Sequence, residues 1–212
     1  MARTFKRNKS LAILAGMLML STSVLAQADK AVKEASSSVP AWKWMDIVAF
    51  NANPAFNFPA PTPLHAKLAE QVWRKEIKQV PLNTFSNNQT RLPSFILISS
   101  HKEGSVLYTF SIFDAADAPG CIPAGNGSGV VDMYSECPIR VTATDEATGR
   151  SVSQQFDDYC HLFVNDSDNP SSKNHTEILI DPAKGVARFR IIQHGKQVPQ
   201  CNRTLKYKEV KS

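Results

Sequence analysis

The densest run of side chains able to do chemistry is Asp157-Asp158-Tyr159-Cys160-His161. An imidazole next to carboxylates can act as a general base: Asp157 or Asp158 would orient His161, and a serine elsewhere would be the nucleophile of an exported hydrolase. No Gly-x-Ser-x-Gly elbow presents such a serine. His161 also alternates with Cys160 along an expected strand, so a disulfide facing the core would turn the ring outward, and the two aspartates equally suit a polar corner between strands.

The next stretch, Asn165-Asp166-Ser167-Asp168-Asn169, is rich in oxygen ligands. Asp166, Asp168 and Glu177 match positions 1, 3 and 12 of an EF-hand loop, but Pro170 stands at position 5, Ser171 replaces the glycine at position 6, and no helical pattern flanks the run. A reduced calcium site built on Asp166 and Asp168 with backbone carbonyls is the alternative cofactor reading; otherwise no cofactor is expected, since the same composition makes an ordinary loop. His65, His101, His161, His175 and His194 show neither HxH nor HExxH spacing. Gly125-Asn126-Gly127-Ser128-Gly129 lacks the Lys-Ser/Thr ending and following helix of a phosphate cradle.

Side chains suited to recognition cluster earlier. Between Pro40 and Pro63 the chain holds Trp42, Trp44, Phe50, Phe56 and Phe58 among prolines. Each proline removes an amide donor and pushes the preceding residue toward extended backbone, so this stretch cannot be a long helix. Its rings either pack on the chain's own sheet or, through Trp42, Trp44, Phe56 and Phe58, face a partner or a glycan.

The elements that would position these groups follow an address. Residues 1–26 carry Arg3, Lys6, Arg7 and Lys9, an apolar run from Leu11 to Leu20 and Val24-Leu25-Ala26, the pattern of a cleaved signal peptide. Export to the periplasm or the extracellular space is expected, with no stable membrane insertion after cleavage. Of 24 Lys+Arg and 19 Asp+Glu, four basic and no acidic residues lie in that segment, which leaves 20 against 19. The basic whole-chain balance therefore gives no ground for nucleic-acid binding, which needs a clustered basic face.

Cys121, Cys137, Cys160 and Cys201 lack CxxC or zinc-like spacing and read as two disulfides. Three pairings are open; the favoured one joins Cys121 to Cys137 across the glycine-rich loop and Cys160 to Cys201 between strands.

Residues 27–61 read as a flexible leader and an extended Pro/aromatic arm, and 62–212 as one β-rich domain. Thr62 caps and Pro63 opens an amphipathic helix expected over 63–80, with Leu64, Leu68, Ala69, Val72, Trp73, Ile77 and Val80 on one side. From Leu92 the period becomes two, with expected strands at 95–99, 106–113, 130–134, 139–144, 151–156 and 159–164. Asp181-Pro182-Ala183-Lys184-Gly185 is a turn that sets Glu177 opposite Arg190 and Ile178 opposite Phe189, ahead of a last strand at 204–210.

About nine short antiparallel strands with one early helix imply a disulfide-stabilised β-sandwich or open barrel. With no convergent catalytic set, the function expected first is a non-enzymatic exported module that binds another envelope or secreted protein, as an inhibitor or assembly subunit.

Overall fold

The Asp181–Gly185 turn is realised in the register that its charges and apolar residues demand. Val186 pairs with Asp181, Phe189 with Ile178 and Arg190 with Glu177. Gly185 takes φ +65°, the left-handed conformation that favours glycine. The computed structural model describes residues 40–50, 58–79, 94–115, 121–123, 134–162 and 170–210.

In chain order these residues form β1 (Lys43–Trp44), β2 (Asp46–Ala49), α1 (Pro63–Val72), α2 (Arg74–Ile77), β3 (Phe95–Glu103), β4 (Val106–Asp114), β5 (Ile122–Pro123), β6 (Ser135–Asp145), β7 (Arg150–His161), β8 (His175–Asp181), β9 (Val186–Gln193), β10 (Lys196–Gln197) and β11 (Arg203–Lys206). They make two antiparallel sheets. The five-stranded one runs β1-β8-β9-β10 with β11 also on β9; the six-stranded one runs β2-β3-β4-β6-β5 with β7 also on β6.

Strand alternation decides what each face meets. Phe95, Leu97, Phe110, Ile112, Ile139, Val141 and Ala143 point from the six-stranded sheet toward Ile178, Ala187, Phe189 and Leu205 of the other, forming the inter-sheet core. Each large apolar side chain removed from water here contributes about 1.5–3 kcal/mol. The residues between them, Ile96, Ile98, Leu107 and Phe113, point the opposite way and meet Leu68, Ala69 and Trp73. The fold is therefore a sandwich with the helical segment on the outer face of the six-stranded sheet. Cys121–Cys137 and Cys160–Cys201 are both bonded, and no helix among the described residues is long and apolar enough to cross a membrane.

Several local expectations need correction. The fold reaches back at least to Lys43, ahead of the boundary expected at residue 62: β1 pairs with β8, β2 pairs with β3, and buried Met45 between them carries the chain from one sheet to the other. The helix expected to run from 63 to 80 breaks at Trp73, which leaves helical geometry at φ −114°, ψ 20°. Tertiary contacts win there: Arg140 donates to the Val72 carbonyl at 2.8 Å and to Glu76 at 2.6 Å, and its guanidinium lies 3.7 Å from the Trp73 ring centroid.

The strands expected at 151–156 and 159–164 join into β7 through a bulge. Cys137 pairs with Tyr159 and Ile139 with Phe156, so β7 carries an extra residue opposite Pro138, and Asp158 takes φ +64°. The expected strand at 130–134 lies outside the described residues apart from Tyr134, which is buried but not in a strand.

Candidate functional site

Trp42 and Trp44 reach the outer face of the five-stranded sheet because β1 is antiparallel to β8 with Trp44 opposite Glu177. Glu177 faces outward with Arg190 across the β8–β9 pair, so the tryptophans, two apart, lie over that charged pair. Trp44 stacks on His175 with centroids 4.2 Å apart and stays 49% exposed. The Arg190 guanidinium sits 4.1 Å from the centre of the Trp42 ring and donates through Nε to Glu177 Oε2 at 2.5 Å. His175 Nδ1 lies 2.8 Å from the Ser171 carbonyl, which can only accept, so Nδ1 carries the proton; Nε2 faces Glu177 Oε1 at 3.3 Å. The row continues through Gln197, which accepts from Arg190 and donates to Asn202 at 2.9 Å.

The result is an aromatic and guanidinium platform whose charges are already oriented. Beside Trp44 a cavity of about 80 Å³ opens, lined mainly by Met45, Pro59, Leu97, Leu162 and His175. That volume suits one inserted side chain and is well below the ~300–1,000 Å³ of a small-molecule site. Phe58, expected on the same surface, instead lies half-buried against Phe95 with centroids 6.4 Å apart; Phe56 is outside the described residues.

The hydrolase set expected around His161 is not assembled. His161 is fully buried rather than outward because both faces of the end of β7 are covered: Cys160 packs with Leu162, Ile191 and Cys201 on one side, and His161 is enclosed on the other. Its Nε2 lies 3.0 Å from Asp114 Oδ2 and 3.3 Å from Cys137 Sγ, and its ring meets Phe95 edge-on. Asp157 and Asp158 remain exposed, and the Asp158 carbonyl accepts from Arg203. At 0% exposure the imidazole presents no surface from which it could act as the expected base.

Asp166 and Asp168 fall outside the described residues. Glu177 of the expected calcium set is held by Arg190. Asp114 groups with Cys121 and Cys137, but both sulfurs are spent in the disulfide and offer no thiolate to a metal.

One arrangement has no counterpart in the spacing of the sequence. Asp46 of β2 accepts from His65 Nδ1 at 2.7 Å, and His65 Nε2 lies 3.0 Å from Ser100 Oγ of β3. Asp46 also accepts from the Thr62 amide at 3.0 Å, at the start of α1. Burial pushes the Asp46 carboxyl up, but the Thr62 amide and His65 outweigh it and hold the group below the usual carboxylate range. The three residues are 19 and 35 positions apart, so only the pairing of the arm onto β3 brings them together.

No protein family matches the chain, and neither a similar curated protein nor a similar solved structure is found.

Proposed function

We propose that this protein is an exported binding module that engages another envelope or secreted protein through the outer face of its five-stranded sheet. The observation that carries the reading is half-exposed Trp44 next to a cavity of side-chain size, with Trp42 and its stacked Arg190 beside it. Trp and Arg are the residues that dominate binding energy at protein interfaces, above all where a neighbouring pocket receives a partner's side chain. The prior Glu177–Arg190 and His175 contacts fix the platform before a partner arrives, which lowers the ordering cost of association. Two disulfides are compatible with an oxidising compartment, and the 1–26 segment supplies the export signal in this reading.

The test compares wild type with Trp44→Ala as bait in an envelope extract. Wild type should retain one stoichiometric protein, and Trp44→Ala should lose it while melting within about 1–2 °C of wild type, because the ring lies on the surface. Identical retention by both proteins would remove the platform's role.

A further inference from the structure

We propose that Asp46, His65 and Ser100 form a serine-type hydrolytic centre for uncharged carboxylic esters, whose Asp46 also lines the cavity beside Trp44. The geometry supplies the nucleophile, the base and the group that orients the base. A carboxylate can only accept, so the 2.7 Å contact places a proton on His65 Nδ1 and leaves Nε2 as the acceptor for the Ser100 hydroxyl at 3.0 Å. That tautomer is the one a general base needs. Asp46 is itself pinned by the Thr62 amide, which fixes the ring's orientation from two elements. Unlike buried His161, both His65 and Ser100 retain accessible surface.

The adjoining surface offers a groove for substrate, lined by Thr109, the cross-strand neighbour of Ser100, though not by Ser100 itself. Ser100 pairs with Thr109, Thr109 with Thr142 and Thr142 with Ser153, so four hydroxyls form one row across β3, β4, β6 and β7 on the helix-facing side. Three of them, with Thr144 and Ser151, line a groove of about 460 Å³ whose opposite wall is Leu64, Leu68 and Val72 of α1. Two residues along β4, the Ser111 hydroxyl accepts from Trp73 and donates to the Arg140 carbonyl. Thr109, in contrast, is 1% exposed and its Oγ1 has no hydrogen-bond partner among the described residues.

A buried donor left unsatisfied is unfavourable by roughly 1–3 kcal/mol, which marks a position that a ligand oxygen would satisfy. Directly opposite positions in a sheet hold their Cβ atoms about 4.5–5.5 Å apart, so a carbonyl attacked by Ser100 Oγ has the Thr109 hydroxyl beside it. The groove floor carries hydroxyls rather than charges, and Lys67 and Glu146, of opposite sign, complete its lining. With one cation and one anion in its lining, the groove has no net charge to draw in a charged substrate and suits a neutral one.

The reaction balances without a cofactor. Ser100 Oγ bonds to the ester carbonyl carbon as its proton passes to His65 Nε2, and the carbonyl electron pair moves onto oxygen beside the Thr109 O–H. Collapse breaks the bond to the leaving oxygen, which takes the proton from Nε2 and departs as an alcohol. Water then attacks the acyl-Ser100, gives its proton to Nε2, and that proton returns to Ser100 Oγ as the carboxylic acid leaves. Asp46 stays ionised throughout as the positioning residue.

The experiment treats the full chain with a biotinylated fluorophosphonate and maps the adduct by mass spectrometry, then measures p-nitrophenyl acetate turnover. The expected results are one phosphonyl group on Ser100 and a turnover reduced on the order of 10³-fold or more in Ser100→Ala and His65→Gln. Thr109→Val should lower kcat about 10²-fold with KM nearly unchanged and should not reduce the melting temperature, since the hydroxyl it removes bonds to nothing in the fold. Should Ser100→Ala fail to fold, Ser100→Cys keeps the side-chain size and must become the iodoacetamide-labelled position. Absence of adduct on Ser100, or equal turnover in Ser100→Ala, overturns the proposal.

Discussion

Removing the two disulfides one at a time gives a quantitative check on the topology. Cys160–Cys201 closes 41 residues and Cys121–Cys137 closes 16. The loop-closure relation then assigns about 3.9 kcal/mol to the first bridge and about 3.1 kcal/mol to the second. Cys137, Cys160 and Cys201 are almost fully buried, so replacement by alanine leaves a small cavity in either case and the difference between the bridges survives.

At roughly 2–4 °C per kcal/mol for a chain of this length, the Cys160→Ala/Cys201→Ala variant should melt about 8–16 °C below wild type. The Cys121→Ala/Cys137→Ala variant should fall somewhat less. The assay is urea unfolding without reductant, with thermal melting as a second probe. A larger loss from the shorter loop, or a loss below about 1 kcal/mol from the longer one, would refute the reasoning.

Acid should destabilise the fold. Burial pushes Asp46, Glu76 and Glu103 up, but the Thr62 amide and His65, Arg140, and Lys208 with Tyr207 respectively outweigh it and hold each carboxyl below its ordinary value. The unfolded chain therefore binds more protons below about pH 5, so stability is full above the unfolded values and falls as pH drops through the folded ones; a urea midpoint that rose on acidification would contradict this. Gly195→Ala, at φ +75° with open space around the new methyl group, should lose about 1–2 kcal/mol. Gly185→Ala should lose more, because its Cβ would also stand 2.9 Å from Lys208 Cδ. Trp73→Phe should lose about 1–2 kcal/mol by removing the Nε1–H donor to Ser111 at 2.9 Å, read from the same urea curves.

The parts of the fold legible in the sequence are those where local chemistry and the global arrangement agree. At Asp181–Gly185 the proline, the left-handed glycine and the Glu177–Arg190 pair all select one register, and that register is found. The disulfide pairing found is the one favoured among the three that the sequence left open. Trp73 was misleading because its apolar spacing extends a helix, while Arg140, 67 positions away and invisible to periodicity, stops it by binding the Val72 carbonyl. His161 was misplaced because alternation sets it on the face opposite Cys160 without revealing that this face is covered too, by Asp114 and Phe95.

Composition alone singled out Trp42 and Trp44, as rings that pack on the chain's own sheet or face a partner, but not their contacts with His175 and Arg190, since those depend on β1 joining β8. Asp46, His65 and Ser100 left no signal in the spacing for the same reason: each belongs to a different element, and only tertiary pairing aligns them.

The most direct measurement of the central claim places a photo-crosslinking benzoyl-phenylalanine at Trp44, or at Ser153 on the opposite face, in the full chain and irradiates intact cells. A single protein adduct from position 44 and none from position 153 is the expected result. No adduct from position 44, or the same adducts from both positions, would contradict a partner-binding face built on Trp42 and Trp44.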